Sequence, residues 1–304
     1  MRDRLIARLA ALLGASLLAL PAAAAPAARD SGFCQAIVDA DYRMPAGESA
    51  ASLTDELIGL LGSRDPVLRD RYGYEIFAAW IYRDGLLAPA ELEAARRRLC
   101  DDARTGLGDI GADSVLRRSF SLLDLSVLAA FDLKKPFMSN PAFEETLGAA
   151  ITALALERDL RGHESGVGWV HATAHAADLL KFLARSPRLT PDGQRRVVAA
   201  VRDRLQSAGL VFAWSEDARL AAALLSVLRR PDADPDALRP WLAALPDANR
   251  ALWSGDFDPV AYATVRAQVN ALTQLVAMLG RTESSDRLAA YEHELQETLA
   301  AVAL

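Results

Sequence analysis

From about residue 50 onward, leucine and alanine recur at the spacing of one helical face with few β-branched runs, and this periodicity restricts the chain to helices. Proline punctuates the pattern without breaking it. Asp65-Pro66, Ala88-Pro89, Asn140-Pro141, Thr190-Pro191 and Asp234-Pro235 each put proline where a helix begins, because the first helical position needs no amide hydrogen and suits a preset φ. With further starts near Asp113, Gly168, Ser215 and Asp258, the spacing predicts helices over 66–83, 89–104, 114–131, 141–159, 168–185, 191–207, 216–230, 235–244, 258–279 and 283–302. Strands are hard to place anywhere. Taken in pairs, the helices repeat every about 45 to 50 residues, the range of helical-repeat architectures. The fold expected is all-α: a right-handed α-solenoid of stacked hairpins, a HEAT- or armadillo-like superhelix. Such a stack grows by adding pairs, so residues 53–304 need no interior boundary, and 29–52 read as an N-terminal cap segment.

Residues 1–28 have the three parts of an export signal: Arg2, Arg4 and Arg8, then an apolar run from Leu9 to Leu20, then an alanine-rich exit with cleavage near Ala25 to Ala28. No later stretch approaches the roughly 20 consecutive apolar residues of a membrane span. The mature protein is expected to be periplasmic or secreted, without a lipid anchor, and monomeric. In an oxidising compartment its two cysteines, Cys34 and Cys100, are read as one disulfide, with two buried thiols as the alternative. The formal charge of the chain is −6, and loss of Arg2, Asp3, Arg4 and Arg8, a net charge of +2, leaves −8. An acidic surface repels phosphate backbones and anionic lipid, which disfavours nucleic acid and membrane surfaces as partners.

Polar chemistry concentrates in one stretch. Three of the four histidines, His163, His171 and His175, lie in or just before Gly168–Asp178. Positions four and seven apart on a helix point nearly the same way, so His171, His175 and Asp178 form one polar stripe. If alternate helices stack side by side, Trp169, His171 and His175 meet Trp214, Glu216 and Asp217 on the following helix and Arg117, Arg118 and Ser119 on the preceding one. Tyr74, Glu75, Tyr262 and Arg266 extend that row. The glycine-bearing loop 157–168, with Arg161, feeds into it.

Three functional readings follow, and a structural one stands beside them. A groove between Trp169 and Trp214 suits a small molecule, a peptide, a sugar or another envelope component. Two imidazoles one turn apart, with Asp178 as third ligand and Glu164, Glu216 or Asp217 as a fourth, suit zinc and a metal-dependent hydrolase. Residue 172 is alanine, however, so the zinc-protease pattern with its adjacent glutamate is absent. Metal-free acid and base chemistry is open to a histidine beside Glu216 or Asp217, although neither Ser119 nor Ser215 sits in a nucleophile motif. The structural reading is a buried network in which His171, His175 and Asp178 satisfy one another.

Several segments resemble a known family. Leu61–Pro66, Leu116–Ser121, Pro136-Phe137, Asp159–Gly162, Gly168–His171 with Ala174–Asp178, and Glu216–Leu220 are similar to the bacterial domain-of-unknown-function 2785 family over roughly residues 55–230. The tryptophan, the paired histidines and the aspartate are the most specific element. The resemblance implies a helical-repeat domain with a histidine-bearing helix and supplies no reaction.

Overall fold

The computed structural model describes residues 31–282 and 285–302, and the export signal read over residues 1–28 lies outside them. Helices α1 (Ser31–Asp39) and α2 (Ala50–Leu60) are followed by two wide-turn π-helical segments, Val67–Ile76 and Ala79–Arg83. Then come α3 (Pro89–Asp102), α4 (Ser114–Lys134), α5 (Asn140–Leu156) and a short antiparallel hairpin of β1 (His163–Glu164) and β2 (Gly168–Trp169). Helices α6 (Ala172–Leu183), α7 (Pro191–Ser207), α8 (Glu216–Leu228), α9 (Arg239–Ala251), α10 (Pro259–Leu279) and α11 (Asp286–Ala301) complete the chain. Among the described residues, no helix is long and apolar enough to cross a membrane.

The caps explain the boundaries. Ser139, Thr190 and Asp258 each accept a hydrogen bond from an amide of the first turn while proline follows at the helix start. A cap of this kind contributes about 1 kcal/mol. Pro235 departs from the expected rule. The Asp234 side chain accepts from Asp236 N in a turn, so the helix expected over 235–244 begins instead at Arg239, ahead of Pro240. The helix expected from Gly168 begins at Ala172, because Gly168 at φ +82° and Trp169 form a strand.

Helices α4, α6, α8 and α10 pack in a row, α4 on α6, α6 on α8 and α8 on α10. The row is parallel. Side chains at the starts of α4, α6 and α8 meet each other, Ser119 with His175 and His171 with Trp214, and their ends also meet, Asp132 with Arg188 and Arg230 with the Ala184 carbonyl. A second layer of α3, α5 and α7 packs behind. The alternation is not kept at the C-terminal end, where α7 packs on α10, and α9 on α11. One apolar cluster runs through the row from Ile58 to Val302, and Cys34, Ile37, Leu53, Leu57, Tyr72, Ile76 and Trp80 form a separate cluster at the N-terminal end. That separation corrects the disulfide. Cys34 is buried in the small cluster and Cys100 in the large one, where Arg96 donates to its sulfur at 3.5 Å, and no bond joins the two.

Between α5 and α6 the chain must leave the second layer and return to the first, and a buried ion pair directs it. Arg118 on α4 donates through Nε to Glu157 Oε2 at 2.7 Å and through Nη2 to Oε1 at 3.1 Å. Its Nη1 reaches the Thr105 carbonyl and Ser114 Oγ. Glu157 Oε1 also accepts from the amides of Arg158 and Asp159, so the carboxylate caps the backbone as it leaves α5. Removing one partner of such a pair leaves an uncompensated buried charge, at a cost of about 3–5 kcal/mol. Arg118→Met is therefore expected to lose stability in that range by urea unfolding, while Arg118→Met with Glu157→Met recovers part of the loss.

Candidate functional site

The site begins with the loop that the ion pair releases. Asp159 Oδ2 accepts from Gly111 N at 2.9 Å and from Arg161, whose guanidinium also reaches the Ala112 carbonyl and Glu164. Beyond Arg161 the hairpin folds back on itself, Val170 N donating to Gly162 O at 2.8 Å and His171 N to Arg161 O at 3.1 Å. Val167 and Val170 bury against Val115 and Leu116 at the start of α4. Arg69, on the π-helical segment, is fully buried and donates to the Val167 carbonyl at 2.8 Å and the Ser63 carbonyl at 2.9 Å, with its guanidinium 4.7 Å from the Phe120 ring centre. The Gly168 backbone passes so close that a Cβ there would sit 3.3 Å from Arg69 Nη2 and from Pro66.

Two left-handed residues mark the site. His171 at φ +54° starts α6, and Ser215 at φ +68° starts α8. A side chain at such φ costs of order 1–3 kcal/mol and persists only where neighbours hold it. Here the neighbours hold each other: His171 Nε2 lies 2.8 Å from the Trp214 carbonyl and 3.5 Å from Glu216 Oε1, and Glu216 Oε2 accepts from Trp214 N at 2.9 Å. A carbonyl can only accept, so His171 carries its proton on Nε2. The same accounting settles Ser119. Its hydroxyl donates to the Val170 carbonyl, and therefore His175 Nδ1, 2.8 Å away, donates to Ser119 Oγ. Ser119 is held as a structural link and has no base taking its proton.

Burial keeps both imidazoles neutral. Removal from water lowers the His171 pKa against the pull of the Trp214 carbonyl and Glu216. The deeper His175 is pushed down to about 3, first by burial and then by His171.

Above this buried pair lies an aromatic edge. The Trp169 indole stacks on His171 at 4.8 Å between centres and 19° between planes, and meets Trp214 edge-on at 5.9 Å and 83°. The His163 ring touches both, at 5.0 and 5.6 Å. Trp169 is 40% exposed and Trp214 45%. Because the two indoles touch, no ligand fits between them; their free faces and edges look outward. Trp214 rests on Gly162, where an added Cβ would collide with the indole ring and come 2.8 Å from the Trp214 Cβ.

The structure brings together Ser119, His163, Trp169, His171, His175, Trp214 and Glu216 and leaves other expected members outside. Asp178 is buried, but its oxygens accept from Lys181 at 2.7 Å and Arg219 at 2.5 Å. The triad expected to bind zinc, His171, His175 and Asp178, therefore does not assemble as a ligand set, and among the described residues no three histidine, cysteine or acidic side chains are arranged to hold a metal ion. Asp217 Oδ1 turns to Ala218 N beside it. Arg117 points away, to Asp102 and the Ile58 and Gly59 carbonyls. Arg161 braces the loop from below. Glu75 accepts from Tyr42, Tyr262 lies with Trp253 and Phe257, and Arg266 binds Asn249. The expected row thus ends at α8. Sequence reasoning missed Arg69 and the seat at Gly162, since nothing near either in the chain marks its partner.

The family model described as a protein of unknown function, DUF2785, matches residues 105–277, more than half of the chain. The chain belongs to the DUF2785 family. The match takes in the hairpin, both left-handed helix starts and the row α4, α6, α8 and α10, whereas Leu61–Pro66 and Arg69 precede it. No curated protein and no solved structure matches the chain. For this DUF2785 chain, the residues themselves must carry the functional argument.

Two outcomes test the geometry. Between pH 6.5, the ordinary value for histidine, and about 3, the unfolded chain binds a proton at residue 175 that the folded chain refuses. Stability is then expected to fall with pH by about 1.4 kcal/mol per unit, and not to depend on this group above 6.5. Urea unfolding at pH 7, 6, 5 and 4 is expected to give a shallower decline in His175→Gln. Gly162→Ala is expected to displace Trp214 and shift tryptophan emission while leaving far-ultraviolet circular dichroism unchanged.

Proposed function

We propose that this protein is an exported, monomeric helical-repeat protein, its two layers forming a short solenoid, that binds a ligand across the Trp169–Trp214 edge. A glycan or peptide segment of the cell envelope suits the compartment that the export signal implies. One observation carries the reading. Two large indoles are held half-exposed on a rigid, strained scaffold, and exposed tryptophan beside fixed polar groups is characteristic of binding surfaces.

The surroundings favour an extended ligand. Trp169, Val211, Trp214, Trp253, Phe257 and Val260 are all exposed and all lie at or just before the starts of α6, α8 and α10, along one edge of the row. Two concavities among the described residues, one at the ends of α6 and α8 and one between α7, α9 and α10, have linings that include no residue of the aromatic edge. An exposed aromatic edge suits a chain laid across it better than a small molecule enclosed in a pocket. The histidine pair supports the edge from below, since the Nε2 proton of His171 and the Nδ1 proton of His175 are both engaged by protein groups.

The test is a titration. Intrinsic fluorescence of the full chain is followed with soluble β-linked oligosaccharides and, separately, with short peptides. A saturable change, weakened at least tenfold in Trp169→Ala and in Trp214→Ala, is expected, with stability moving by no more than about 1 kcal/mol. A wild-type protein that responds to neither ligand class, or variants that bind as the wild type does, would overturn the reading.

A further inference from the structure

At the opposite end of the same two helices lies a second feature, in no way dependent on the aromatic edge. α6 and α8 run parallel, so both finish together about 18 Å from their starts, at the 1.5 Å rise of a helical residue. Between those ends is a concavity of about 500 Å³ lined by Arg185, Ser226, Arg229, Arg230, Asp232 and two prolines.

Its charges do not cancel internally. Arg230 is buried, bound to Asp232 through both carboxylate oxygens, at 2.9 and 3.2 Å. Its guanidinium also takes the Ala184, Ser186 and Leu189 carbonyls. The one acid in the lining and the carbonyls that end α6 are thus already engaged, and they do not neutralise the other two arginines. Arg185 rests on the Phe182 ring at 5.3 Å and donates through Nε to Ser226 Oγ at 3.2 Å, which fixes its guanidinium. The Ser226 hydroxyl itself donates to the Ala222 carbonyl. Among the described residues, the four Nη hydrogens of Arg185 and all five of Arg229 meet no protein acceptor. Desolvation, and then the neighbouring charge of Arg229, lower the Arg185 pKa. Two like charges lining one concavity are a cost that a bound anion would remove. Among the described residues, most other arginines of this acidic chain are paired with carboxylates, Arg188 with Asp132 and Arg219 with Asp178 among them.

We propose that Arg185 and Arg229 form a binding site for a phosphate ester, the phosphoryl oxygens bridging the two guanidinium groups and the organic body filling the remainder of the concavity. Planar guanidinium pairs match phosphoryl geometry, each presenting two parallel donors. The volume lies within the range of small-molecule sites and far exceeds one phosphate group.

Isothermal titration of the full chain with glucose 6-phosphate, with inorganic phosphate, and with sodium chloride at matched ionic strength tests the site. Saturable binding of the ester, at least tenfold weaker in Arg185→Ala and in Arg229→Ala and partly kept in Arg185→Lys, is expected. Both arginines are exposed, so the alanine variants should retain the wild-type unfolding midpoint. Absence of binding by either phosphate compound up to 10 mM (roughly the weakest affinity two charge-assisted contacts would give) would overturn the proposal. So would unchanged affinity in the double variant, or a response to chloride equal to that for the ester.

Discussion

Everything distinctive about the upper edge of this protein hangs from the buried pair of Arg118 and Glu157. A polypeptide leaving the second layer at the end of α5 has many ways to reach the start of α6. The pair removes most of them, because Glu157 binds the guanidinium of α4 and the next two backbone amides at once. Buried charges of opposite sign, fully hydrogen-bonded, tolerate no slack. From that fixed departure point Asp159 and Arg161 brace the loop against residues 111 and 112, and the hairpin arrives with Trp169 above the row.

The helix row then has two chemically different ends. At the starts of α6 and α8, strained backbone, neutral imidazoles and a buried glutamate support exposed indoles. At the finish, arginines gather. One of them, Arg230, does structural duty by donating to the Ala184, Ser186 and Leu189 carbonyls at and beyond the end of α6. Parallel packing of α6 on α8 is what creates both ends, since antiparallel neighbours would have mixed the two sets of loops.

Part of the site was legible in the residues. Stacking alternate helices in register is enough to bring the histidine helix beside Trp214 and Glu216, and the structure has His171 in contact with both, while His175 lies behind it against His171 and Ser119. Asp178 shows where that logic stops. Spacing along a helix puts it on the histidine side, but Lys181 one turn on and Arg219 from the next helix claim both oxygens, and charge pairing outranks periodicity. The cysteines fail for a similar reason: the export signal read over residues 1–28 argues for a bridge, yet Cys34 and Cys100 bury in separate apolar clusters. The partners of Arg69 and Gly162 could not have been found, because each lies about 50 or more residues away, the Val167 carbonyl and the Trp214 ring.

The sequence by itself determined that the chain is helical, where most helices start, and which stretch holds its scarce polar chemistry. Those are local properties, set by apolar periodicity, capping side chains and proline at the first turn. The tertiary structure alone decided the π-helical winding after Pro66, the hairpin in place of a helical turn at Gly168, the left-handed starts at His171 and Ser215, and the direction of each imidazole proton. Each of these is a compromise among groups distant in the chain, and a buried donor or acceptor takes whatever partner the packing supplies.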